Sequence, residues 1–178
     1  MTDRHQITDL IKMVCKTAGM PEMAQEIEVE WSNRMTRCAG KAYLQRKLIK
    51  LSNPIWALAG DKVNEDTVVH ETCHILVYWE WANRARGRMR SAGSPPRPHG
   101  SEWQQLMRKC GYEPKRCHSV DTSAIRPKRK RYRFDCGCKE GHLVSRQLVA
   151  RMGAGKQYVC RLCRKQITRP SIEQVVFM

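Results

Sequence analysis

No stretch of this 178-residue chain approaches the roughly 20 consecutive apolar residues that cross a bilayer, which argues against a membrane-spanning helix. The opening residues, Met1-Thr2-Asp3-Arg4-His5, lack the basic-then-apolar pattern of a secretory leader. The expectation is therefore a soluble protein of the cytoplasm or nucleoid (the nucleus in a eukaryote), neither secreted nor held in a membrane. Acidic residues are scarce, 17 Asp and Glu against 33 Lys and Arg, for a formal net charge of +16. An enzyme for neutral metabolites has no use for such an excess, whereas a polyanionic partner does, so nucleic acid is expected nearby. Nor do the nine cysteines make an even set. In a reducing compartment, an odd number with four in close pairs near the C-terminus favours metal ligands over a disulfide scaffold. With 41% hydrophobic residues there is enough for one domain with a true core and a small appendage.

Among what is present, His70-Glu71-Thr72-Cys73-His74 stands out as an H-E-x-x-H pattern. On a helix, positions four apart lie nearly one above the other, so both imidazoles can reach one zinc ion. Glu71, next to the first of them, is placed to take a proton from an attacking water rather than to bind metal. The bland alternative is a polar stripe with hydrogen-bonded histidines. The flanks count against it: Val68, Val69, Ile75, Leu76, Val77 and Tyr78 are apolar around much of the helix, as a central buried helix requires. Polar groups inside such a helix are costly unless a partner such as a metal satisfies them.

A catalytic zinc site needs three protein ligands and one open position. His99, in His99-Gly100-Ser101-Glu102-Trp103, is the leading third ligand, and Gly100 would let the backbone approach the metal helix. His118 is a rival, and Glu102 is a weaker one that could ligate or orient a histidine.

The remaining chain reads as mixed α and β. Thr2 to Ala18 is an amphipathic helix, with Ile7, Leu10, Ile11 and Val14 at helical spacing and Gly19 and Pro21 as stop signals. Ile27, Val29 and Trp31 alternate with glutamates as a half-buried strand, and a second strand region runs to Ser52. Together they predict an antiparallel sheet bending near Gly40. Residues 54–60 predict a short helical turn placing Trp56 and Leu58 on the core. Asn64 reads as the N-cap of a metal-bearing helix from Glu65 to Arg86. A further helix follows His99, with Leu106 and Met107 inward. Cys15, Cys38, Cys73 and Cys110 read as small core residues.

Toward the C-terminus, Arg126-Pro127-Lys128-Arg129-Lys130-Arg131-Tyr132-Arg133 forms a basic spacer over 126–133. Its plain reading is a solvated linker. Arg126, Lys128, Arg129, Lys130, Arg131 and Arg133, with Tyr132 interleaved, also suit a single-stranded nucleic acid. Cys136-Gly137-Cys138 and Cys160-Arg161-Leu162-Cys163 then predict a four-cysteine structural zinc ribbon over 134–170. His142 could replace Cys136.

H-E-x-x-H followed after a loop by His99-Gly100 and Trp103 resembles the SprT-like metallopeptidases, the family that includes the Spartan DNA–protein crosslink proteases. Trp31 to Gly40 and Ile49 to Ser52 are similar to the hairpin ahead of that family's catalytic helix, and the cysteine pairs are similar to its C-terminal ribbon. The resemblance covers residues 5–168. It implies a zincin-like α+β domain over 1–125, His70, His74 and His99 as ligands of a catalytic zinc, and Glu71 as the base. It also implies substrates that are proteins bound or crosslinked to DNA. The alternative is a regulatory DNA-binding zinc protein with little turnover. Glu71 argues against that, because a purely structural site needs only the histidines.

Overall fold

The computed structural model describes residues 4–87, 94–117, 119–126, 130–134, 142–167 and 174–176. The chain divides into two units, residues 1–126 and 127–178. In the first, the periodic apolar residues of α1 (Arg4–Thr17) place Ile7, Ile11 and Val14 in the core, with Leu10 at its margin. After a 3₁₀ turn at Pro21–Gln25 come β1 (Glu28–Ser32), β2 (Gly40–Tyr43) and β3 (Leu48–Ser52). The short helix α2 (Asn53–Leu58) leads to the long α3 (Asp61–Gly87), and α4 (Ser101–Lys109) follows the loop that carries His99.

The sheet order is β1-β3-β2, and the pairing departs from the antiparallel expectation: β1 runs parallel to β3, and only β2 runs antiparallel to it. Residues 33–39 carry the chain from the end of β1 past β3 to the opposite edge. Ser52 holds that crossover. Its N–H donates to the Ala39 carbonyl (2.8 Å), its hydroxyl donates to the Met35 carbonyl, and the same oxygen accepts from Ile55 N (3.1 Å) as the N-cap of α2. The bend between β2 and β3 is a 3₁₀ turn at Leu44–Arg46 closed by Lys47 in the left-handed region (φ 51°), not Gly40, which opens β2. The indole of Trp79 on α3 donates to the Leu44 carbonyl (2.8 Å) and fixes this turn to the helix.

The expected central helix, α3, begins earlier than Asn64. The Gly60 carbonyl accepts from Val63 N and Asn64 N, and Asn64 is buried inside the first turns with its amide donating to the Trp56 carbonyl (3.3 Å). Trp56 meets Trp31 edge to face at 5.0 Å, as a core-facing residue should, but Leu58 is 49% exposed. Cys15 and Cys73 are buried in the core, Cys110 lies at its edge, and Cys38, expected there too, is exposed. No described helix is long and apolar enough to cross a membrane.

In the second unit the basic stretch is in part a strand: β4 (Lys130–Phe134) is central in a three-stranded sheet, between β5 (His142–Ser145) and β8 (Gln174–Val176). α5 (Arg146–Gly153) is capped by Ser145 Oγ, which accepts from Leu148 N (3.3 Å), and Val144 is buried. A two-stranded hairpin of β6 (Tyr158–Val159) and β7 (Gln166–Ile167) closes around Cys160 to Lys165.

Leu76 on α3 is fully buried and Leu58 is half exposed. Leu76→Ala is expected to lower stability by about 2–5 kcal/mol and Leu58→Ala by roughly 0.5 kcal/mol or less, read from denaturant unfolding.

Candidate metal centre

His70 and His74, one turn apart on α3, bring their Nε2 atoms to 3.1 Å, and His99 Nε2 lies 3.0 Å from the first and 3.1 Å from the second. The three rings are turned 63–73° to one another. His99 reaches them from the loop ahead of α4 by adopting a left-handed backbone (φ 58°), which costs a β-carbon-bearing residue about 1–2 kcal/mol. The Gln104 side chain holds the turn by donating to the His99 carbonyl (3.0 Å). The atoms nearest to a side chain at Gly100 belong to Arg97 and Glu102, not to α3. A β-carbon there would lie 2.9 Å from the Arg97 carbonyl, so the glycine serves the Arg97–His99 turn itself. Glu102 stands apart, its carboxylate accepting from Ser101 Oγ at 3.0 Å, and His118 lies outside the described residues.

The donor set could hold a cation. Burial draws the His70 ring down to about 4 and His74 to about 3, with neighbouring imidazoles adding to the effect, and His99 is lowered by burial and then by Arg116. All three rings are then neutral at pH 7, and each Nε2 either carries a hydrogen or presents a lone pair. With three nitrogens in mutual contact and only two possible states, at least one contact sets like against like. A cation removes the conflict by receiving a lone pair from each ring. The edges are short enough for one ion to reach all three at the roughly 2.0–2.1 Å of a Zn–N bond. The group is the cluster among the described residues whose donor atoms could hold a metal ion.

The surroundings orient these three rings. The Lys115 backbone pulls the His70 ring back toward protonation, the last of the three influences on it. Trp103, 1% exposed, touches all three imidazoles: it stacks on His74 (18° between planes) and meets His70 and His99 at 4.7 Å. Its indole N–H donates to the His70 carbonyl (3.3 Å).

Glu71 is 8% exposed, and its burial pushes the carboxyl up to about 7, against a smaller downward pull from the Ala42 backbone N–H that it accepts. Gly40 packs against it. A β-carbon at Gly40 would lie 2.7 Å from Glu71 Cγ and 2.8 Å from Thr67 Cγ2, so β2 approaches α3 as closely as it does only because residue 40 has no side chain. Gly40, the Ala42 and Lys115 backbones and Trp103 are the site components that sequence reading did not assign. The tryptophan stood inside the quoted motif, while the others depend on tertiary approach and leave no local signal.

Two clefts open at this centre, of about 670 and 470 Å³, and Gly40, His70, Glu71 and Arg116 line both. Of the residues expected to meet nucleic acid, Arg126 is exposed in the first unit, Lys130, Arg131, Tyr132 and Arg133 lie on β4, and Lys128 and Arg129 fall outside the described residues. Strand alternation puts Arg131 and Arg133 on one face of the sheet and Tyr132 on the other, so the arginines and the tyrosine do not form one interleaved surface. Cys136 and Cys138 are also outside the described residues. Cys160 is buried, and its Sγ accepts from Leu162 N (3.3 Å) and Cys163 N (3.5 Å), while Arg164 turns through the left-handed region (φ 61°). Two backbone amides are thus directed at one sulfur.

A family model described as SprT-like matches residues 7–123. Among curated proteins, "Protein SprT" of Pasteurella multocida is 33% identical over 132 residues, 72% of this chain and 70% of that protein. "Protein SprT" of Pseudomonas fluorescens is 30% identical over 132 residues, 72% of each chain. That of Pseudomonas aeruginosa is 30% identical over 129 residues, 71% of this chain and 70% of the relative.

Gly40→Ala is expected to push β2 away from Glu71 and to lower stability by about 1–3 kcal/mol through overpacking, while the histidine cluster keeps its metal affinity. Unfolding and metal titration of the same variant separate the two effects.

Proposed function

The chain belongs to the SprT-like family, and from that premise we propose that it is a zinc-dependent endopeptidase acting on proteins bound or crosslinked to DNA, in the cytoplasm or on the nucleoid. One observation carries the reading: three imidazole nitrogens within 3.0–3.1 Å of one another, beside a buried carboxylate, at the meeting point of two clefts. His70, His74 and His99 would hold the ion, which when bound supplies Lewis acidity toward the scissile carbonyl and toward water. Glu71 takes the proton of the attacking water and returns it to the departing amine, oriented for this by the Ala42 N–H and the close backbone at Gly40. β2 lies at a sheet edge and lines the smaller cleft through Gly40, Lys41 and Ala42, so an extended substrate can add to it as a further strand. The zincin-like arrangement, a helix bearing H-E-x-x-H under the edge of a small mixed sheet, is part of the same proposal.

A second, structural zinc would be held by Cys136, Cys138, Cys160 and Cys163. The paired amides at Cys160 support this at one of the four positions. DNA with single-stranded character is the proposed partner, on the strength of the +16 charge and of Arg131 and Arg133 sharing one sheet face. A DNA-bound zinc protein without turnover is the competing reading, and the buried carboxylate beside the histidines is what weighs against it.

The test compares the zinc-loaded wild type with Glu71→Gln for self-cleavage and for cleavage of a DNA-bound protein, with and without single-stranded DNA. Loss of a general base is expected to slow cleavage by roughly 10²–10⁴-fold with zinc content unchanged. A wild type that cleaves nothing under any of these conditions would hand the case to the non-catalytic reading.

A further inference from the structure

The two clefts that meet at Glu71 differ in chemistry. The smaller is lined by Leu44, Val77, Tyr78, Pro95, Pro96 and Trp103, with Lys41 and Arg97 as its own cations. The larger is lined by Arg37, Lys62, Lys115, Arg116 and Arg126, against Asp66 and Glu113 besides Glu71 itself. Those two acids are already engaged, Asp66 with Lys62 at 3.2 Å and Glu113 with Lys115 at 2.8 Å. Arg37, Arg116 and Arg126 remain, none in an ion pair with a carboxylate among the described residues, although Arg126 acts through space on the Asp121 carboxylate. All three are exposed.

We propose that this groove selects its substrate by charge: an apolar side chain occupies the smaller cleft, and an acidic segment on the other side of the scissile bond occupies the larger, read by Arg37, Arg116 and Arg126. The proposal rests on the endopeptidase reading and names the peptide class it would cut. Guanidinium groups suit it, because a planar fork of N–H donors matches a carboxylate and stays charged at every working pH. A guanidinium matches phosphate as well as carboxylate, so the choice of a peptide rests on continuity with the chain at Glu71. Because Gly40, His70, Glu71 and Arg116 are common to both clefts, whatever fills the larger one is continuous with the chain presented to Glu71.

The test uses the full, zinc-loaded chain and peptides of one scaffold with a central Leu. Glu-Glu, Gln-Gln or Lys-Lys is placed first on one side of it and then on the other. Binding is read on Glu71→Gln by fluorescence anisotropy, and cleavage by the wild type is read by mass spectrometry. On one side only, Glu-Glu should bind and be cut about tenfold better than Gln-Gln, with Lys-Lys poorest, as two or three exposed ion pairs allow. The preference should collapse in Arg37→Gln/Arg126→Gln. Binding indifferent to peptide charge overturns the proposal. So does a single-stranded oligonucleotide that binds through the same two arginines while the peptides show no charge preference, since phosphate would then be the occupant. Acid-selective binding with no cleavage of any peptide by the wild type would leave the cleft assignment standing and sink the endopeptidase reading instead.

Discussion

Three neutral imidazole nitrogens in mutual contact cannot all be satisfied by the hydrogens they carry, and the first unit is arranged around that conflict. α3 supplies two of the nitrogens because a helix places residues four apart on one face. The third must come from outside the helix, and the chain accepts a left-handed backbone at His99 to deliver it. α4 then presents Trp103 against all three rings, so the cluster sits on a rigid aromatic floor and not in open solvent. The same burial that draws the histidines toward neutrality raises the Glu71 carboxyl, so one environment shifts the three rings and the carboxyl together.

The position of Glu71 depends on the sheet. β2 is an edge strand, and its first residue is a glycine whose missing side chain lets the backbone lie against the carboxylate. β1 pairs with β3 in parallel on the other side, and residues 33–39, held by Ser52, carry the chain across to the β2 edge. The crossover and Glu71 are thus linked through a few hydrogen bonds and the close packing at Gly40. Disturbing Ser52 would be felt at Gly40 and from there at Glu71.

Much of this was legible in the sequence because it is local. The spacing of Ile7, Ile11 and Val14 marked α1, and H-E-x-x-H within an apolar flank marked both the central helix and its metal-facing side. What was not legible depends on distant partners. The parallel pairing of β1 and β3 has no local signature, since an alternating strand reads the same in either direction. Asn64 has the chemistry of an N-cap, yet the helix begins at Asp61 and its amide serves the Trp56 carbonyl. Leu58 and Cys38 have core-like side chains and are exposed, because burial is decided by what packs over a residue. The basic run shows the same limit: its composition implied a linker, while pairing on both sides makes Lys130–Phe134 a central strand.

The account is tested most directly by locating zinc in crystals of the protein from anomalous scattering at the zinc absorption edge. It predicts a peak at roughly 2 Å from the Nε2 atoms of His70, His74 and His99 together, with Glu71 near the peak but not bound to it. Zinc found only at the cysteines, with His99 turned away from α3, would contradict it.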